Sequence, residues 1–133
     1  MIELVIVLVL VAILAAYALP RLNTSALQVM PVAEQIAAEI RYTQNLAMTR
    51  SKAHAFVATG NTISIRDVDN NTVVLSNGQS SVTFSGVSVG EASITFASRL
   101  GQPSGDPAIT VQGGGSSLQV QVSGETGYVR IVE

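Results

Sequence analysis

Sixteen consecutive apolar residues, Leu4 to Leu19, lie near the start of the chain, with one acidic residue, Glu3, just ahead of them and Pro20-Arg21 behind. No other feature constrains the fold as strongly. A helix in the core of a soluble domain normally keeps a polar face, and this run has none. As a helix, residues 1–19 reach roughly 28 Å, close to the thickness of a bilayer hydrocarbon core. A retained membrane helix is therefore the expected reading, with a few apolar residues upstream completing the span. The alternative is a cleaved secretory signal. Ala16-Tyr17-Ala18 fits the small-x-small cleavage pattern, but no basic segment precedes the run and Pro20 lies two residues past a cut after Ala18.

Glu3 admits two readings from position alone. At a helix N-terminus it favours the macrodipole and can sit at the headgroup level. Alternatively it pairs with a positive group on another subunit. An acidic residue at the membrane midplane costs about 3 kcal/mol, which an ion pair in low dielectric can offset.

The rest of the chain is long enough for one modest core, with roughly 110 residues beyond the apolar run. The net charge is −2 and the seven basic residues are scattered, which argues against a nucleic-acid-binding stripe. The absence of cysteine excludes disulfides and thiolate zinc sites and leaves the redox compartment open.

Pro20 ends or kinks the apolar helix, Asn23-Thr24-Ser25 can cap a restart, and Pro31 is a second break or kink. Around and beyond it Val29, Val32, Ala33, Ile36, Ile40, Thr43, Ala47 and Arg50 recur at three- and four-residue steps. Glu34, Gln35, Glu39, Arg41, Gln44 and Asn45 lie off that stripe. The spacing predicts an amphipathic helix over 24–52 that covers something apolar.

Composition then changes, since all eleven glycines lie at or beyond Gly60. Short alternating runs are read as strands at His54–Thr59, Asn61–Val68, Thr72–Ser76, Ser81–Val89, Ala92–Ala97, Ala108–Val111, Leu118–Val122 and Tyr128–Val132. Alternation is clearest at Ile63/Ile65, Val82/Phe84, Ile94/Phe96 and Val120/Val122, with Ser, Thr or Gln outward. Ser123–Gly127 reads as the tip of a terminal hairpin. The expected class is α+β: a long N-terminal helix, half membrane and half amphipathic, packed on an antiparallel sheet. The division is 1–22, a transmembrane helix; 23–52, the amphipathic helix; and 53–133, a β-rich domain.

No catalytic, metal or cofactor site stands out. His54 has no nearby motif that supplies a nucleophile and reads as a histidine at a helix-to-strand junction. Asp67, Asp69, Asn70 and Asn71 lack the twelve-residue calcium loop and its terminal Glu, and read as a polar turn. Asp106-Pro107 is turn chemistry. Gly113-Gly114-Gly115 opens no helix and has no Lys, so it reads as a strand connection rather than a phosphate loop.

The run Ile2-Glu3-Leu4-Val5-Ile6-Val7-Leu8-Val9-Leu10, continuing to Ala15-Ala16 and Leu19-Pro20-Arg21-Leu22, resembles the N-terminus of type IV pilins and type II secretion pseudopilins. In that family a short basic leader ends in Gly and the mature chain begins Phe-Thr-Leu-Ile-Glu. Ile2 and Glu3 match the last two of these, and Met1 stands where the family usually has Leu. The resemblance implies that the leader and the first two mature residues are encoded upstream, with the start codon assigned too late. It also implies that Glu3 pairs with the N-terminal amine of a neighbouring subunit, an amine exposed by prepilin peptidase and then methylated.

A second, weaker resemblance runs through the rest. Arg41-Tyr42-Thr43-Gln44-Asn45-Leu46-Ala47, Ile94-Thr95-Phe96, Leu100-Gly101-Gln102-Pro103-Ser104-Gly105 and Thr126-Gly127-Tyr128-Val129 look like segments of H-type minor pseudopilins. A minor pilin of the mannose-sensitive haemagglutinin pilus type shares this layout. Major pilins commonly close a C-terminal loop with a disulfide, and a chain without cysteine resembles the minor or pseudopilin group more. The resemblance implies a non-enzymatic subunit held in the inner membrane with its C-terminal domain in the periplasm. It then polymerises through its N-terminal helix into a type IV pilus or type II secretion pseudopilus. Its implied partners are other pilin or pseudopilin subunits, an inner-membrane assembly platform, prepilin peptidase and the lipid bilayer. The competing readings are an exposed domain that binds a ligand or DNA, for which only Arg66, Arg99 and Arg130 are available beyond residue 52, and a secreted β-rich protein cleaved after Ala18.

Overall fold

The computed structural model of the chain describes residues 1–18, 24–105 and 108–133. The expected kink at Pro20, the cap at Asn23 and the turn at Asp106-Pro107 lie outside the described residues.

The first helix, α1 (Ile2–Ala18), opens with the bond from Val5 N–H to the Met1 carbonyl at 3.2 Å. None of its residues is buried. The second, α2 (Thr24–Thr49), runs through Pro31, which has no N–H to give the Leu27 carbonyl. Its buried stripe is Val29, Val32, Ala33, Ile36, Ala37, Ile40, Thr43, Leu46 and Ala47, the expected three- and four-residue rhythm. Two departures stand out. Glu39, placed off the stripe by sequence, is buried at 2% exposure, and Arg50, placed on it, is exposed. The helix also stops short of residue 52. Arg50 N–H still donates to the Leu46 carbonyl at 2.9 Å, but Ser51 takes a left-handed backbone (φ 51°), which ends the α-helical ladder.

The strands are β1 (His54–Thr59), β2 (Thr62–Asp67), β3 (Thr72–Val73), β4 (Val82–Thr83), β5 (Ser88–Val89), β6 (Ala92–Phe96), β7 (Pro103–Gly105), β8 (Ala108–Gly113), β9 (Ser116–Val122) and β10 (Val129–Val132). All pairings are antiparallel. They form two sheets, one ordered β3-β2-β1-β6-β7 with β4 also on β2, the other β10-β9-β8-β5. The chain is thus α+β, with a helix packed on an antiparallel β layer divided in two.

Period-two alternation decides which side chains reach α2. On β1, His54, Phe56 and Ala58 point inward, and Phe56 lies opposite Ile65 on one side and Ile94 on the other. In the second sheet Ile109 faces Val120, and Val122 faces Val129. Phe56, Ala58, Ile94, Ile109, Val120, Val122 and Val129 join Val29, Ile36, Ile40 and Phe96 in one continuous core. Each fully buried Ile or Phe contributes about 1.5–3 kcal/mol by leaving water. A smaller cluster of Leu46, Ile65 and Leu75, with Tyr42 packed against it, lies beside it.

The turns account for the differences from the strands read in sequence. Between β8 and β9 the two-residue loop Gly114-Gly115 has φ of 56° and 85°, a mirror-image turn that matches the twist of the hairpin. Residues 81–89 do not form one strand. Phe84 N–H donates to the Asn61 carbonyl at 2.9 Å, and Val89 N–H to Asn61 Oδ1 at 3.1 Å, so the β1–β2 turn bends this segment over itself. Strand β3 ends early because Leu75 turns into the small cluster, closed by Leu75 N–H to the Gln79 carbonyl at 2.7 Å. β7 was not expected, since Pro103 and Gly105 disguise it. It pairs only with β6, and a proline is tolerated at such an edge.

Because α1 buries nothing, deleting residues 1–22 should leave α2 and both sheets folded. Circular dichroism of the shortened chain should show a cooperative melt within a few degrees of the full chain in detergent; an unfolded, insoluble product would contradict this domain division.

Candidate assembly surface

The apolar side chains of α1 are exposed all round, from Ile2 at 76% through Val9 at 52% to Leu14 at 67%, and Glu3 is its one charged residue. Monomeric soluble proteins rarely carry an apolar surface of this extent without a partner. The helix is 17 residues, about 26 Å by rise, against about 30 Å for a hydrocarbon core. Among the described residues no helix is long and apolar enough to cross a membrane. On α2 the outward face continues the pattern, with Leu27 (73% exposed), Met30, Pro31, Glu34, Ala38, Arg41, Asn45 and Met48. It is apolar toward the N-terminal end and polar toward the other.

One turn and a half of α2 fastens the loops that shape the far end of the domain. Gln44 Nε2 donates to the Gly101 carbonyl and to the Thr126 carbonyl, both at 3.0 Å. Arg41 donates to the Val129 carbonyl at 3.1 Å. Three of the four segments that carried the weaker family resemblance, 41–47, 100–105 and 126–129, therefore meet at one place. Gly127, with φ of 72°, lies so close to the Gln44 amide that a Cβ would collide with it. Glu39 accepts from both Ser76 N–H, at 3.2 Å, and Ser76 Oγ–H. Sequence reasoning missed Glu39 because an acidic residue between Ala38 and Ile40 reads as surface. The only cue was its three-residue step from Ile36, which sets it on the inner face.

The other candidates are structural in their contacts. His54 is buried, and its Nδ1–H donates to the Lys52 carbonyl at 2.8 Å. Asp67 sits in the turn between β2 and β3, where its Oδ1 accepts from Asn71 N–H at 2.9 Å and Asp69 N–H at 3.0 Å. The Asn71 backbone bond, chiefly, holds its carboxyl below the usual aspartate value. Arg66 donates to Asn70 Oδ1, and Arg130 places two donors on Gln121 Oε1. Two of the three basic groups beyond residue 52 are thus engaged within the chain. Among the described residues no cluster of His, Asp or Glu is placed to hold a metal ion.

Replacing Gln44 with Ala should cost about 1–2 kcal/mol, the worth of two hydrogen bonds, read as a lowered denaturation midpoint. For Asp67 the folded carboxyl titrates below its unfolded value. Its stabilising effect is therefore full above the ordinary aspartate range and disappears as pH falls through the depressed value. Thermal melts should show Asp67→Ala below wild type at neutral pH, with the gap closing in acid; a gap that persists or widens in acid would refute this.

No family model matches the chain, and no curated protein matches it. Among solved structures it is similar to the type IV minor pilin FimU of Pseudomonas aeruginosa (strain PAO1) in two crystal forms. In the P21 form the TM-score is 0.57 at 15% identity, covering 80% of this chain and 88% of that one. In the P65 form the values are 0.54 and 14%, covering 78% and 92%. At such identity the likeness is one of fold: this chain has a pilin-like α+β fold.

Proposed function

We propose that the chain is a minor pilin or pseudopilin, a non-enzymatic structural subunit that polymerises through its N-terminal helix into a type IV pilus or a type II secretion pseudopilus. The observation that carries the reading is α1: a helix apolar except for Glu3, with no buried residue, in a chain of pilin-like fold. Before assembly α1 is held in the inner membrane, with the domain beyond residue 52 in the periplasm. In the filament it leaves lipid and packs against equivalent helices, and the apolar outer face at Leu27 and Met30 extends that packing along α2. Residues 1–22 form the anchor and filament core, 23–52 the support, and 53–133 the exposed domain. Pro31, inside α2, leaves the Leu27 carbonyl without its usual helical partner and is the point at which the helix bends most readily during assembly.

Glu3 sets the register. Lipid and a bundle of apolar helices are both media of low dielectric, so a carboxylate gains most where a positive group meets it. The N-terminal amine of a neighbouring subunit is that group in this reading. A shift in axial stagger would separate the pair and leave Glu3 uncompensated, which makes one stagger preferred over the others.

Glu3→Ala and Glu3→Val should leave membrane insertion unchanged and reduce incorporation into purified filaments by about tenfold or more, equivalent to about 1.4 kcal/mol. Fractionation with quantitative immunoblotting reads both. Normal incorporation of either variant would remove Glu3 from the assembly mechanism. Parallel assays of piliation and enzyme secretion in a deletion strain would decide which filament the subunit serves.

A further inference from the structure

We propose that Asn77 is a self-modification site, converted to aspartate or isoaspartate by attack of the Gly78 backbone nitrogen, and that the contact between Glu39 and Ser76 sets its rate. Of the six asparagines, Asn77 is the one followed by glycine, which has no Cβ to hinder approach to its own nitrogen. The step needs only water. Gly78 N loses its proton to solvent base and bonds to Asn77 Cγ; the Cγ–Nδ2 bond breaks and ammonia leaves. Water then opens the five-membered imide. Opening at one carbonyl restores the main chain with a carboxylate on the side chain. Opening at the other routes the main chain through Cβ and Cγ. Carbon, nitrogen and charge balance as asparagine plus water giving a carboxylate and ammonium.

The closed turn engages both reacting groups in hydrogen bonds. Gly78 N–H donates to the Leu75 carbonyl at 3.0 Å. The Asn77 carboxamide is held on Gln79, with Oδ1 accepting from Gln79 N–H and Nδ2 donating to Gln79 Oε1, both at 3.0 Å. Residues 76–80 are exposed, so base and water have access, and what limits the reaction is opening of the turn. Two anchors oppose opening. Leu75 is buried in the small cluster with Leu46 and Ile65, and Ser76 is tied through both its N–H and its hydroxyl to the buried Glu39. Conversion works against the second anchor. It adds a carboxylate one residue from Ser76, close to a site built around the single carboxyl of Glu39, and removes the donor to Gln79. Isoaspartate also lengthens the main chain inside the turn closed by Leu75 and Gln79. The product therefore holds its turn more loosely than the parent. This inference stands apart from the pilin reading, because it uses only contacts within the folded domain.

The test is peptide mapping by mass spectrometry of the full chain in detergent, incubated in warm, mildly alkaline buffer. An isoaspartyl methyltransferase label reports the isomer. In wild type the mass gain should appear first at Asn77, with isoaspartate present, and Ser76→Ala should accelerate it by about fivefold, the effect expected from loosening one anchor of a local opening. Asn77→Asp, which carries the product's charge without the reaction, should be cleaved faster by a nonspecific protease within residues 74–81. Conversion at Asn77 no faster than at the other asparagines would overturn the proposal, as would a Ser76→Ala rate equal to wild type. Unchanged protease resistance of Asn77→Asp would overturn the claimed loosening.

Discussion

Burial of one face of α2 is the constraint on which the rest depends. Val29, Ala33, Ile36, Ala37 and Ile40 are at or below 1% exposure, and the strands that surround them come from two separate sheets. Neither sheet would be covered on its inner face without the helix, and α2 has Ala at two of these positions, which lets the strands approach closely. The helix is the one element shared by both halves of the β layer, so the two sheets are positioned relative to each other mainly through it. Asn61 adds a polar tie, reaching from the β1–β2 turn to Phe84 and Val89.

Upon this apolar frame the chain places a few polar contacts where the pattern is interrupted. Glu39, Arg41 and Gln44 lie within six residues of α2 and take up backbone groups of three loops, at Ser76, Gly101 and Thr126, and of the start of β10 at Val129. Glu39 is buried, and a buried carboxylate must be paired, so its contact with Ser76 also specifies which loop lies over that turn of the helix. The division of labour along the chain is consistent with this. The inner face of α2 is buried under both sheets, its outer face is exposed, and α1 has no buried residue.

Much of this was legible in the sequence because it rests on periodicity. The two- and three-to-four-residue rhythms placed α2 and β1 to within a few residues, and Gly113-Gly114-Gly115 marked a connection between strands. Glu3 ahead of an apolar run drew attention for a simple energetic reason: a carboxylate there needs a counterpart. What escaped the sequence reading depended on partners distant in the chain. Glu39 is inside because Ser76, thirty-seven residues on, meets it. The helix ends at Thr49 because Ser51, not a glycine, adopts the left-handed conformation. β7 exists because β6 offers a free edge, although proline and glycine argue against a strand there. The division into two sheets was illegible for the same reason, since strand alternation reports which face is buried but not which strand is the neighbour.

The ties from α2 to the end of the chain have a kinetic consequence. Arg41 reaches Val129 across eighty-eight residues and Gln44 reaches Thr126 across eighty-two. Contacts of such sequence separation form late, because the loop they close must be paid for before they reward it. A chain delivered from its N-terminus, at a ribosome or across a membrane, lacks β9 and β10 until almost all of it has emerged. Until then Val29, Ile36 and Ile40 lack the partners that β9 and β10 supply, and Arg41 and Gln44 lack the carbonyls of Val129 and Thr126. The native domain is therefore completed essentially in one event at the end of delivery, and a chain still in transit remains pliable enough to be threaded.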